Sequence, residues 1–223
     1  MNRKLFVEAI AKVSLGVACM ALLLFAPAGT LRYPGAWRLM AILFIPMIIA
    51  GFVMMAKAPA LLKSRLKAKE TRAKQDLVVK LSGLMFIAAF VLAGLDFRFG
   101  WLPLPAWVSL AASCAFLLAY LVYAEVLREN AYLSRTIEVQ EGQTVVDTGL
   151  YGIVRHPMYA ATVLLFLSMP LVLGSLIALI PMLAYPLLIA ARIRDEEKLL
   201  EKELRGYAAY QQKVRFRLLP FLW

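Results

Sequence analysis

Charge is scarce in this sequence and unevenly signed. Only 17% of the 223 residues are charged, 62% are hydrophobic, and 25 lysines and arginines stand against 14 acidic residues. The mean hydropathy of +0.74 lies outside the balance of a soluble domain and points to an integral membrane protein. There is one histidine, His156, and the two cysteines, Cys19 and Cys114, both lie inside apolar runs. That inventory excludes a disulfide framework, a redox pair and a zinc motif, and the cysteines read as small packing residues. A catalytic triad and a glycine-rich dinucleotide fingerprint are also missing. The net charge of +11 would suit nucleic acid, but the basic residues sit mostly in connections between apolar runs. There they set orientation and meet anionic headgroups, so membrane lipids are the expected partners and nucleic acid is not.

The first apolar run covers residues 5–28. Ala26-Pro27-Ala28 resembles a cleavage site, but Glu8 and Lys12, four apart on one helix face, interrupt the apolar core a signal peptide would need, so a retained helix is expected. Trp37 and Arg38 anchor a second run at 39–56. The most basic stretch follows, residues 57–80, with Lys57, Lys63, Arg65, Lys67, Lys69, Arg72, Lys74 and Lys80 against Glu70 and Asp76. The positive-inside rule places it on the cytoplasmic side as a headgroup-facing loop, and the N-terminus with it. A third run at 81–95, with Lys80 snorkelling, and a fourth at 106–124 complete a four-span region over residues 1–128. The polar stretch 129–156 is then cytoplasmic and longer than a simple turn between spans needs, which favours a functional loop.

From Met158 to Ala191 there is no charged residue. As one helix this stretch would measure about 50 Å, against a hydrocarbon core of roughly 30 Å. Pro170 and Gly174-Ser175 interrupt it near the middle, and the tail at 192–217 is again basic, so it belongs on the side where His156 already lies. Only a helical hairpin over 157–191 satisfies both conditions. The expected architecture is an all-α polytopic membrane protein: four transmembrane helices, a C-terminal transmembrane hairpin, and a cytoplasmic amphipathic tail helix within 192–223. Residues 129–223 are expected to form a second region, with the polar loop 129–156 ahead of the hairpin.

The hairpin brings together two polar clusters, Tyr151 to Tyr159 and Arg192 to Glu197. Pro157 is suited to the first position of a helix and keeps His156 outside it, leaving a helix N-terminus that favours an anion. Arg192 and Glu196, four apart, share one helix face. Taken singly, His156 also reads as a helix-start residue, and Arg192 with Glu196 as a surface pair. Their meeting through a hairpin is what suggests a site.

Arg155-His156-Pro157-x-Tyr159, the hydrophobic hairpin, Glu196-Glu197, then Gly206-Tyr207-Ala208-Ala209-Tyr210 and a terminal Leu219-Pro220 resemble the isoprenylcysteine carboxyl methyltransferase superfamily, which includes phospholipid methyltransferases. The resemblance covers about 130–221; the first four spans agree in hydropathy only. It implies S-adenosylmethionine as cofactor, bound through Gln143, Thr144, Val145, Val146, Tyr151, His156, Pro157, Met158, Tyr159 and Glu196. It also implies that Arg192 orients a lipophilic acceptor entering from the bilayer, and no metal. A carboxylate acceptor is expected first, a lipid amine or small thiol second. A non-catalytic scaffold or transporter is the reading from another class. The site would face the cytoplasm, in a bacterial inner membrane or an endoplasmic reticulum.

Overall fold

The computed structural model describes residues 3–66, 73–134, 136–221 and 223. Regular structure among them is helical: α1 (Arg3–Ala28), α2 (Pro34–Lys57), α3 (Pro59–Leu66), α4 (Ala73–Phe99), α5 (Ala106–Glu129), a 3-10 turn (Gly149–Gly152), α6 (Pro157–Val172), α7 (Leu179–Met182), α8 (Tyr185–Glu203) and α9 (Tyr207–Lys213). Helices α1, α2, α4 from Gln75 onward, and α5 are long and apolar enough to cross a membrane. Leu22, Leu84, Leu121 and Leu187 point outward and exposed, as expected where the surrounding solvent is lipid. The protein is a multi-pass integral membrane protein.

The helices outrun the apolar stretches that betray them. The third span, expected at 81–95, lies inside the longer α4, and Lys80 sits within it, bonded to Asp76 at 2.6 Å four residues earlier. Likewise α5 continues past residue 124 to Glu129, where Arg128 pairs with Glu125. Charged residues at i and i+3 or i+4 satisfy one another on a helix surface, so hydropathy falls before the helix ends. In the basic stretch, the expected loop contains α3, and Arg65 turns inward: it donates to Tyr123, to the Ser134 carbonyl at 3.1 Å and to the Met158 sulfur at 3.7 Å. Lys67, Lys69, Glu70 and Arg72, the Lys74 side chain, and Arg135 lie outside the described residues. The Glu8–Lys12 pair forms at 2.6 Å, and Lys12 also donates to the Leu66 carbonyl at 2.5 Å, tying α1 to the end of α3.

The core sits where α1, α2, α4, α5 and α6 converge. Leu24, Tyr33, Leu39, Ala93, Phe116 and Val172 are fully or almost fully buried there. Helix α6 ends at Val172, and the chain turns through Gly174 and Ser175, near the break expected from the sequence. The turn is pinned to the α4–α5 connection: Leu104 donates to the Gly174 carbonyl at 2.8 Å, and Leu176 to that of Leu102 at 3.2 Å. From α7 the chain enters α8, which passes through Arg192 without interruption, so the polar tail begins inside this helix rather than as a separate one. After Glu203 the chain reverses at Gly206, whose φ of +87° is costly for any residue with a side chain, and α9 folds back.

The approach of α1 to α4 is set by Gly94. A Cβ there would lie 2.7 Å from the Leu24 carbonyl oxygen and 2.9 Å from Pro27, whereas one at Gly83 on the same helix meets nothing within 4 Å. Gly94→Val is therefore expected to destabilise the detergent-solubilised protein by about 1–3 kcal/mol through overpacking, and Gly83→Val to leave it nearly unchanged. Equal thermal shifts for the two variants would refute the close approach.

Candidate functional site

At one end of the helices, Glu197 on α8 forms the hub of a buried network. Its Oε1 accepts from Arg155 Nε at 2.8 Å and lies 3.3 Å from His156 Nε2, while Oε2 accepts from Arg217 Nε at 2.7 Å. Arg155 also donates through Nη1 to the carbonyls of Val214 at 2.8 Å and Arg215 at 3.0 Å, and the backbone amides of Arg155 and His156 donate to Phe216 and Arg217. The start of α6, the middle of α8 and the C-terminal segment are thereby fastened together. Burial opposes ionisation of Glu197, but the hydrogen bonds from His156, Arg217 and Arg155 prevail and hold its carboxyl down at about 2.

A second network lies one residue back on α8. The Tyr159 hydroxyl donates to Glu196 Oε2 at 2.5 Å and accepts from Arg192 Nε at 2.9 Å. Arg192 Nη1 donates to Gln75 Oε1 at 3.2 Å, and Gln75 Nε2 donates to Asp195 at 2.7 Å. Gln75, at the start of α4, is 1% exposed and Arg192 is 9% exposed, so this guanidinium is oriented by fixed partners on two other helices.

Both networks border an open pocket. Its α6–α8 wall includes His156, Met158, Tyr159, Arg192 and Glu196; its other wall comes from the loop after α5, with Gln143, Thr144, Val145, Val146 and Tyr151. Every site residue expected from the sequence lines it except Pro157, which is buried and starts α6 behind His156. The loop wall is well tied. Asn130 donates to the Tyr151 hydroxyl at 3.0 Å, Tyr210 on α9 donates to the Tyr151 carbonyl at 2.7 Å, and Leu204, Tyr207, Tyr210 and Val214 pack with Val139 and Val145.

Glu197, Gln75 and Arg217 were assigned no role from the sequence. Glu197 continues the buried stripe of Ile189 and Ile193 at four-residue spacing, and a carboxylate on such a stripe signals a buried charge that needs partners. Gln75 had no such signal, because its link to Arg192 spans 117 residues. Arg217 looked like one more cation in a basic tail. No group of three or more His, Cys, Asp or Glu suited to a metal occurs among the described residues.

The Glu197 hub gives a stability prediction. Glu197→Gln strips two guanidinium groups of their counter-charge and is expected to cost about 3–5 kcal/mol, as for a buried ion pair that loses one partner. The folded carboxyl, at about 2, lies below its ordinary value of 4.5, so its stabilisation is complete above the ordinary value and is lost as pH falls through the folded one. Thermal melts of wild type and variant should differ most above pH ~4.5 and converge toward pH ~2. A gap that stays constant over that window would contradict the ion-pair assignment.

Comparison with known proteins bears on what this pocket belongs to. The sequence model of the isoprenylcysteine carboxyl methyltransferase (ICMT) family matches residues 110–202. A curated relative, the Delta(14)-sterol reductase TM7SF2 of Mus musculus, is 31% identical over 91 residues, 40% of this chain and 22% of that protein. The chain thus spans about a fifth of that relative's length. The solved structure of the eukaryotic intramembrane Ras methyltransferase ICMT, determined without a monobody, matches with a TM-score of 0.53 at 19% identity, covering 96% of this chain and 77% of that one. The family pattern falls on α5, the loop wall, α6 and most of α8, and the likeness of fold extends over nearly the whole chain, which is similar in both respects to the isoprenylcysteine carboxyl methyltransferases.

Proposed function

We propose that this protein is a membrane methyltransferase that uses S-adenosylmethionine to methylate a lipophilic acceptor bearing a carboxylate. The observation that carries this reading is the Glu196–Tyr159–Arg192 arrangement: one phenol holds a carboxylate and a guanidinium side by side on a single pocket wall. The lining fits the cofactor. Glu196 offers an anion for an ammonium or for ribose hydroxyls, and Val145, Val146, Leu200 and Leu204 offer apolar surface for a nucleobase. The loop residues Gln143 to Val146 and Tyr151, facing His156, Met158, Tyr159 and Glu196, are the proposed contacts, with Pro157 acting by starting α6. When bound, the cofactor supplies a sulfonium methyl group open to in-line attack.

The chain's own task is then positioning. A carboxylate acceptor is nucleophilic without a general base, which agrees with the missing triad. A guanidinium is better shaped for a carboxylate than an ammonium is, and Tyr159 and Gln75 fix the direction of that of Arg192. Met158 connects the pocket to Arg65 on the basic helix α3, which supports a cytoplasmic orientation for this end by the positive-inside rule. The sterol reductase relative, 31% identical over 91 residues, carries a second chemistry. A reductase would draw on a reductant in place of a methyl donor.

Arg192→Ala is expected to lower methyl transfer by about 10²–10³-fold, typical for loss of one preorganised charge-stabilising donor, with S-adenosylhomocysteine affinity nearly intact. Glu196→Ala is expected to weaken that affinity by about 10–100-fold, the range for a charged hydrogen bond. Calorimetric titration alongside transfer of a labelled methyl group to a base-labile ester checks both. Loss of binding in both variants would overturn the division of roles. An amine or thioether product would move the acceptor to the alternative class, and binding of a nicotinamide dinucleotide in place of S-adenosylhomocysteine would favour the reductase chemistry.

A further inference from the structure

Tyr207, the first residue of α9, combines two properties that do not usually coexist. It is 3% exposed, and its hydroxyl has no hydrogen-bond partner among the described residues. Buried phenols normally find one, because desolvating the hydroxyl without replacement is unfavourable. The rest of the side chain is well held: the ring packs against Tyr210 with centroids 5.7 Å apart, within the cluster of Leu204, Val214 and Val145. The residue lines the pocket beside Glu196, Leu200 and Leu204. Tyr207 thus holds a fixed, dry and unsatisfied hydroxyl within the wall of the space that the proposed cofactor would fill.

Its surroundings limit what it can meet there. Burial first, and then the carboxylates of Glu197 and Glu196, outweigh the opposing charge of Arg155 and push the phenol well above its ordinary range, so it stays protonated and able to donate. The apolar neighbours Val145, Leu200 and Leu204 suit the nucleoside half of S-adenosylmethionine better than its charged amino-acid carboxylate. The neutral acceptors of that molecule are the ring nitrogens and ribose oxygens of its nucleoside half.

We propose that Tyr207 is a cofactor-binding residue whose hydroxyl donates to a neutral acceptor on the nucleoside half of S-adenosylmethionine. This inference rests on the methyltransferase reading above. On it, α9 is part of the binding site, and the reversal at Gly206 serves to bring Tyr207 onto the pocket wall.

The test uses the full-length protein in detergent, with S-adenosylhomocysteine and methylthioadenosine, a nucleoside that lacks the amino-acid half, as probes. Tyr207→Phe is expected to weaken both by the same factor, about 5–20-fold for one buried hydrogen bond. Without ligand, the variant should melt at the wild-type temperature or above it, because the lost hydroxyl had no partner. A structural role would instead lower the melting point and leave affinity unchanged, and either result overturns the proposal. Weakening of S-adenosylhomocysteine alone would place the contact on the amino-acid half and overturn it too. Wild-type protein that binds neither probe overturns the cofactor reading itself, whereas wild type and Tyr207→Phe binding both equally overturns only the role of Tyr207.

Discussion

The Glu197 carboxylate lets the pocket exist. Arg155 stands directly before His156 and Pro157 where α6 begins, Arg217 belongs to the last few residues, and both reach the same carboxyl on α8. The buried Arg155 guanidinium, with the partly exposed one of Arg217 close by, cannot be held there without an anion between them. With Glu197 ionised, the C-terminal segment runs alongside residues 155 and 156 and satisfies their amides, so α9 is held against the loop that forms the opposite wall. The pocket's shape is therefore set by an electrostatic junction behind it.

Adjacent residues on α8 have separate roles because of helix geometry. At 3.6 residues per turn, neighbours point about 100° apart, so Glu197 faces the junction while Glu196 faces the pocket. Arg192 and Glu196, one turn apart, point the same way and meet the same Tyr159 hydroxyl. One short run, Arg192 to Glu197, thereby holds the tail in place on one side and lines the pocket on the other.

Much of this was legible in the sequence, and what was not has a physical cause. The four long apolar runs correspond to α1, α2, α4 and α5 because a membrane span must be apolar over about twenty residues. The residues placed in the site by resemblance do converge on one pocket, Pro157 excepted, since short motifs on consecutive elements carry local spacing information. Helix ends were misjudged where paired charges such as Asp76–Lys80 continue a helix beyond its hydrophobic stretch. The inward turn of Arg65 and the reach of Gln75 to Arg192 depend on contacts between distant parts of the chain, on which composition and periodicity are silent. Glu197 lay in between: it was visible as half of an acidic pair, but its role becomes clear only once the buried stripe of α8 is known.

Gln75 shows how the family-like region depends on the rest of the molecule. The matched stretch begins at residue 110, yet the guanidinium at the centre of the proposed chemistry is bonded to a side chain from α4, well outside it. Asp195 accepts from the Gln75 amide nitrogen and, being a carboxylate, can only accept. That turns the amide oxygen toward Arg192, and the orientation of the pair is determined without any choice of rotamer. A region outside the family-matched stretch can therefore still tune the acceptor end of the proposed site, because the residue it contributes sets the direction of the guanidinium proposed to meet the acceptor. On the proposed function, divergence in α4 would then alter acceptor preference while leaving the proposed cofactor walls, built from residues 130 to 210, intact.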